Sequence, residues 1–111
     1  MHEYAITQSI IETAEKYAGG RTVKKIALVI GESSDIVGEC IRLYFDIIAE
    51  NTICESAAVE IETIKPMLRC KTCGRLFERK PFSFECPCCG GDGEPTEIGR
   101  EFYIKHIEIE D

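Results

Sequence analysis

Apolar residues along the chain change period several times, and each change marks an element. In EYAITQSIIETAEKYA (residues 3–18), Ile6, Ile10, Ala14 and Tyr17 recur at helical spacing with Ile11 and Ala18 alongside. That spacing predicts an amphipathic helix, which Gly19-Gly20 ends. TVKKIALVI (22–30) is a β-branched apolar run closed by Gly31, the pattern of a strand buried on at least one face. Ser33-Ser34-Asp35 offers N-cap chemistry. Val37, Cys40, Ile41, Tyr44, Ile47 and Ile48 then return to the three-and-four spacing of a second helix. AAVEIETIK (57–65) alternates, with Val59, Ile61 and Thr63 on one face and Glu60 and Glu62 on the other. EFYIKHIEI (101–109) is read the same way, with Ile107 and Ile109 opposite His106 and Glu108.

Between the last two strands, residues 66–100 change character and become rich in Cys, Gly, Pro and Arg. The order is helix, strand, helix, strand, insert, strand. An insert whose ends return together would let strands 57–65 and 101–109 pair antiparallel, like a hairpin with a very large loop. The expected fold class is therefore α+β: two helices on a three-stranded sheet, with an inserted four-cysteine, zinc-ribbon-like domain. The expected domains are 1–65 plus 101–111, discontinuous in sequence, and 66–100.

The chain has 111 residues, 44% hydrophobic and 30% charged, the balance of a soluble domain with a real core. No apolar run approaches the ~20 residues of a membrane span. The N-terminus has neither the basic region nor the apolar stretch of a signal peptide, so a cytoplasmic location is expected. A net charge of −7 argues against a nucleic-acid partner, which would need a basic surface. Residues 66–100, with 6 basic and 5 acidic side chains, are the least acidic part. There Arg69, Lys71, Arg75, Arg79 and Lys80 interleave with Phe77, Phe82 and Phe84. A zinc-ribbon adaptor binding nucleic acid or a protein partner is thus the alternative reading. Against it, the phenylalanines are expected to fill the small ribbon's core and the charges to be solvated.

Five of the seven cysteines lie between positions 70 and 89. In a reducing compartment such clustering points to metal rather than disulfides. Cys70 and Cys73 form one C-x-x-C, and Cys86 and Cys89 a second, with 12 residues between. Each pair is followed by a glycine, Gly74 or Gly90, where a tight turn wants positive φ. Two such turns give a closed tetrahedral set of four thiolates, suited to zinc or iron, with structural Zn(II) preferred over a redox iron centre. Cys88, adjacent to Cys89, is left free or as a substitute ligand. Cys40, on the stripe of the second helix, reads as a packed core thiol, and Cys54 as an inert loop residue.

His2 directly follows the initiator methionine. Met1 is expected to be retained, because trimming favours small second residues, leaving an α-amine of pKa ~8. That amine, the His2 amide nitrogen and the His2 imidazole can close two fused chelate rings. Glu3 adds an amide nitrogen or a carboxylate. Square-planar nitrogen coordination is what Ni(II) and Cu(II) prefer.

Together, MHE at the N-terminus, a strand ending in IGE, CxxC…CPxCG and a closing IKHIEIE resemble the HypA/HybF nickel metallochaperones of hydrogenase maturation. The resemblance runs from Met1 to Glu110 in unbroken order. It implies nickel binding at Met1, His2 and Glu3 and a structural zinc site at Cys70, Cys73, Cys86 and Cys89. It further implies delivery of nickel to the large subunit of [NiFe] hydrogenase and partnership with HypB, the pathway's GTPase. In some organisms it implies a role in urease maturation. Cys88 occupies the family's variable position in CPxCG, and His106 is not part of the metal-ligand motifs and reads as a solvated strand residue. No nucleophile–base pair, phosphate-cradling loop or paired carboxylates form a recognisable catalytic motif, so an enzyme is not expected.

Overall fold

The structure, a computed structural model, describes residues 2–80 and 82–110, with the backbone alone for His2. Its elements are α1 (His2–Ala18), β1 (Val23–Gly31), α2 (Gly38–Ile48) and β2 (Ala58–Ile64). β3 (Met67–Cys70), β4 (Leu76–Glu78), β5 (Gly93–Pro95) and β6 (Phe102–Ile109) follow. They form two three-stranded sheets, ordered β2-β1-β6 and β4-β3-β5. The radius of gyration is 17.8 Å, against about 13 Å for a single compact body of this length. The molecule is drawn out, with the first sheet at one end and the cysteine-rich sheet at the other.

β1 sits in the centre of the larger sheet, parallel to β2 and antiparallel to β6. The expected pairing of 57–65 with 101–109 is therefore not formed: the two strands flank β1 and never meet. β1 is nearly continuous in apolar residues and is buried on both faces from Ile26 to Gly31, which suits a central strand. β2 and β6 alternate and are half-buried, which suits edges. α2 provides the crossover that a parallel β1–β2 pair requires.

Two register shifts explain otherwise puzzling parity. In β1, Lys24 is the extra residue between the Val23↔Ile109 and Lys25↔Glu108 pairs; in β6, Lys105 is the extra residue between His106 and Ile104. Each bulge lets apolar residues on both sides of it face the helices. Val23 thus joins Ile26, Leu28 and Ile30, while Phe102 and Ile104 join Ile107 and Ile109. Ile10, Ile11 and Ala14 of α1 and Ile41 and Phe45 of α2 close over this surface. The opposite face carries a charged lattice in which Lys25 Nζ reaches Glu60 (3.3 Å) and Glu108 (3.4 Å), and Lys105 Nζ reaches Glu62 (3.1 Å).

Three helix details depart from the pattern read in the sequence. Tyr17 is 74% exposed, because the buried arc of α1 centres on Thr7, Ala14 and Ala18 and leaves Tyr17 on its margin. α2 begins after Val37, with no side-chain cap. Ser33-Ser34-Asp35 instead turns the chain out of β1, with Asp35 at φ 65° and Ser34 Oγ accepting from Ile36 N–H (3.3 Å). α2 buries Ile41 and Phe45 rather than the stripe through Val37, Cys40 and Ile47. Val37 and Ile47 are exposed, and Cys40 is only partly covered.

The sheets join where the end of β1 crosses both connecting segments. Gly31 N–H donates to Glu101 O (2.7 Å), Glu32 N–H to Ile64 O (2.9 Å) and Ser33 N–H to Gly99 O (2.7 Å). A Cβ on Gly31 would lie 2.1 Å from the Gly99 carbonyl oxygen, so backbone rests on backbone here. In the cysteine-rich sheet, Leu68, Cys70, Phe77 and Cys86 make a small core of their own.

Candidate metal centre

Each C-x-x-C sits on a tight turn that begins at the end of an ordered segment. Gly74 N–H donates to Cys70 O (3.0 Å) and Cys70 N–H to Arg75 O (2.9 Å). The second turn repeats the pattern, with Gly90 N–H on Cys86 O (2.9 Å) and Cys86 N–H on Gly91 O (2.8 Å). Gly74 and Gly90 take φ of 78° and 76°, the left-handed conformation expected of them. The turns aim amide hydrogens at sulfur. Thr72 and Cys73 donate to Cys70 Sγ, Cys88 to Cys86 Sγ and Gly91 to Cys89 Sγ, each at 3.4 Å.

The ligand atoms of Cys70, Cys73, Cys86 and Cys89 all lie within 4.8 Å of one another. Sγ of Cys70 is 3.4 Å from that of Cys89, and Sγ of Cys73 is 3.8 Å from that of Cys86. A tetrahedral zinc with bonds of ~2.3 Å spaces its sulfurs ~3.8 Å apart, so the set matches a four-cysteine metal site. The electrostatics divide the four thiols into two pairs. The Cys73 N–H, with that of Thr72, draws the Cys70 thiol down to about 6. The N–H of Cys89, with that of Cys88, lowers Cys86. Cys89 moves the other way: the Gly91 N–H favours its thiolate, but Cys70 and desolvation outweigh it and push the thiol up to about 12. Cys73 also rises, as desolvation and Cys70 overcome the Arg75 N–H. Four thiolates this close need a soft cation among them, and these four residues could together hold one thiophilic metal ion.

The remaining candidates fall elsewhere. Cys88 is exposed, and its sulfur takes a contact from Arg75 Nη1 at 3.2 Å. Cys54 is buried in the main core, and burial pushes its thiol up to about 11. His106 lies on the charged face of the larger sheet, with Nε2 3.4 Å from Glu108. Met1 and the side chain of His2 lie outside the described residues. Glu3 is described: its carboxylate accepts from Val37 N–H (3.4 Å) and its carbonyl from Thr7 Oγ1 (2.6 Å). The first turn of α1 is thereby tied to the start of α2, an arrangement no sequence pattern announced. Of the phenylalanines expected in the ribbon core, Phe77 is buried, while Phe82 is fully exposed at the Lys80–Ser83 turn. Phe84 is half-exposed beneath the Arg79 guanidinium, 4.7 Å from the ring centroid. A cleft of ≈ 510 Å³ at the junction of the sheets, lined in part by Ser34, Arg79, Phe84 and Arg100, touches neither the cysteine cluster nor Glu3.

A two-helix α+β layer carrying a four-cysteine knuckle site defines a small metal-binding protein. The matches with known proteins sharpen that class. A family model described as "Hydrogenase/urease nickel incorporation, metallochaperone, hypA" matches residues 1–109. A hydrogenase maturation factor HypA from Caldanaerobacter subterraneus subsp. tengcongensis is 41% identical over 114 residues, covering 99% of this chain and 100% of that protein. The corresponding factor of Geobacter metallireducens is 37% identical over 110 residues, covering 99% of this chain and 100% of that protein. Among solved structures, a HypA protein in solution superposes with a TM-score of 0.69 at 25% identity, covering 98% of this chain and 96% of that one. The solution structure of the Ni metallochaperone HypA from Helicobacter pylori shares the fold, with a TM-score of 0.63 at 24% identity over 96% of each chain. The chain belongs to the HypA family of hydrogenase-maturation nickel metallochaperones, which are maturation factors rather than enzymes.

Proposed function

We propose that this protein carries Ni(II) at Met1, His2 and Glu3 and delivers it to the large subunit of [NiFe] hydrogenase, with HypB as its GTPase partner. Zinc held by Cys70, Cys73, Cys86 and Cys89 keeps the ribbon folded. The reading divides the chain into a nickel-binding domain, 1–65 plus 101–111, and a zinc-binding domain, 66–100, working in the cytoplasm. Among the described residues no helix is long and apolar enough to cross a membrane.

The observation that carries the proposal is the family match over residues 1–109, which takes in the Met1-His2-Glu3 segment. Chemistry supports it. A closed set of four thiolates leaves no position from which a cargo ion could be passed on. Cargo needs a separate, open site, and a nitrogen-rich terminus meets that need for Ni(II). The first N–H groups of a helix have no intrahelical acceptor, so the amides of α1's first turn are free of the backbone ladder. Nickel binding at these nitrogens displaces protons, so affinity falls as pH drops through the imidazole range near ~6.5.

Metal analysis with and without added nickel tests the proposal. His2→Ala abolishes stoichiometric nickel binding while zinc and the melting temperature stay unchanged, and an extension ahead of Met1 weakens it similarly. Undiminished binding by an N-terminally extended His2→Ala protein refutes the assignment. Cys73→Ala loses zinc and the hydrogen-exchange protection of residues 66–100; a full zinc equivalent in that variant would reject the cysteine set.

A further inference from the structure

α2 is apolar on two faces, and intramolecular packing uses only one of them. Ile41 and Phe45 point into the core. On the outer side, Leu43 is 60% exposed and Ile47 58%, with half-covered Cys40 one turn before and Val37 exposed at the helix start. Cys40, Leu43 and Ile47 stand at i, i+3 and i+7, neighbours on one stripe. Tyr4 of α1, 42% exposed and edge-on to Tyr44 at 5.4 Å, bounds the stripe on one side. Glu39 and Asp46, exposed and three or four residues from Leu43, bound it on the other, and exposed Glu50 follows just past the helix end. Arg42, the basic residue of α2, is turned away and donates to Val59 O of β2.

We infer that this stripe docks a protein partner through an amphipathic helix whose apolar anchors are flanked by lysines or arginines. Charge selects the occupant: an apolar stripe with an acidic flank attracts a basic one and repels an acidic one. Width fits a single helix, read as anchors at successive turns. A second copy of this chain is a poor occupant. A two-fold antiparallel pairing across the stripe would set Glu39 and Asp46 against themselves, and these few side chains fall short of the ~800 Å² per partner of a standard interface. The surface adjoins the start of α1 through the Glu3 carboxylate on Val37 N–H, so a docked helix would lie beside the N-terminal segment. The inference rests on α2 alone and stands whether or not that segment binds nickel.

The test uses the full-length zinc-loaded protein and two synthetic amphipathic helical peptides, one with leucines flanked by lysines, the other with glutamates in place of the lysines. Amide resonances of residues 37–47 are expected to shift on titrating the basic peptide and not the acidic one. Leu43→Ser/Ile47→Ser weakens binding about tenfold or more, and its melting temperature is unchanged because both side chains are exposed. Glu39→Lys/Asp46→Lys, a surface change that leaves the stripe intact, reverses the preference between peptides. The inference is overturned if both peptides shift the same amides equally, if the shifts fall outside α2, or if neither double variant alters binding. It is also overturned if the free protein dimerises and Leu43→Ser/Ile47→Ser abolishes the dimer, since a second copy would then own the surface.

Discussion

Gly31→Ala puts the crossing between the two sheets to the test. A Cβ at this position would sit 2.1 Å from Gly99 O, 2.2 Å from Gly99 C and 2.7 Å from Arg100 N. All three are backbone atoms, so no rotamer change relieves the overlap, and the strands must part by more than an ångström. That separation removes the hydrogen bonds from Gly31 to Glu101 and from Ser33 to Gly99. Two backbone bonds at roughly 1 kcal/mol each put the loss at about 2 kcal/mol, or about 9 °C of melting temperature for a chain of this size. Gly38→Ala is the matched control. Its Cβ would meet the flexible end of Ile61, Cδ1, at 3.2 Å, and alanine favours helix, so the net effect stays within about 1 kcal/mol. Thermal unfolding of zinc-loaded protein reads both changes, and hydrogen exchange at the amides of residue 31 and Ser33 localises the first. A Gly31→Ala protein that melts with the wild type and keeps those amides protected would refute the crossing geometry.

Phe45→Ala, at a position 2% exposed between α2 and the sheet, should lower stability by about 3–5 kcal/mol in urea unfolding. Cys54 should resist alkylation at neutral pH while Cys88 reacts, as read by mass spectrometry of the native protein. The folded-state Cys54 pKa, about 11, lies above its unfolded value, so the folded state holds the extra proton. Its contribution to stability is intact below pH ~9 and declines as pH rises toward 11, which a pH series of unfolding curves would show. Cys88→Ser should leave one zinc per chain, because that sulfur pairs with Arg75 and stands apart from the four clustered ligands; loss of zinc would place Cys88 among the ligands.

The sequence alone determined what depends on neighbours along the chain. A C-x-x-C-G turn is closed by bonds between residues four apart, so the two knuckles and their positive-φ glycines were legible, as were the helices and the change of character at residue 66. Their convergence on one point followed from chemistry, since four soft ligands in two tight turns satisfy one ion. Other features were settled only when distant segments competed for the same surface. β1 took the centre of its sheet because it alone is apolar on both faces, which separated β2 from β6. The bulges at Lys24 and Lys105 set which residues face the helices, and a parity count along one strand cannot reveal an unpaired residue. On α2, two apolar stripes share one helix, and periodicity cannot rank them. The shape of the sheet chose Ile41 and Phe45 for the core and left Leu43 and Ile47 in water, because burial depends on what lies opposite a side chain, which a single segment does not encode.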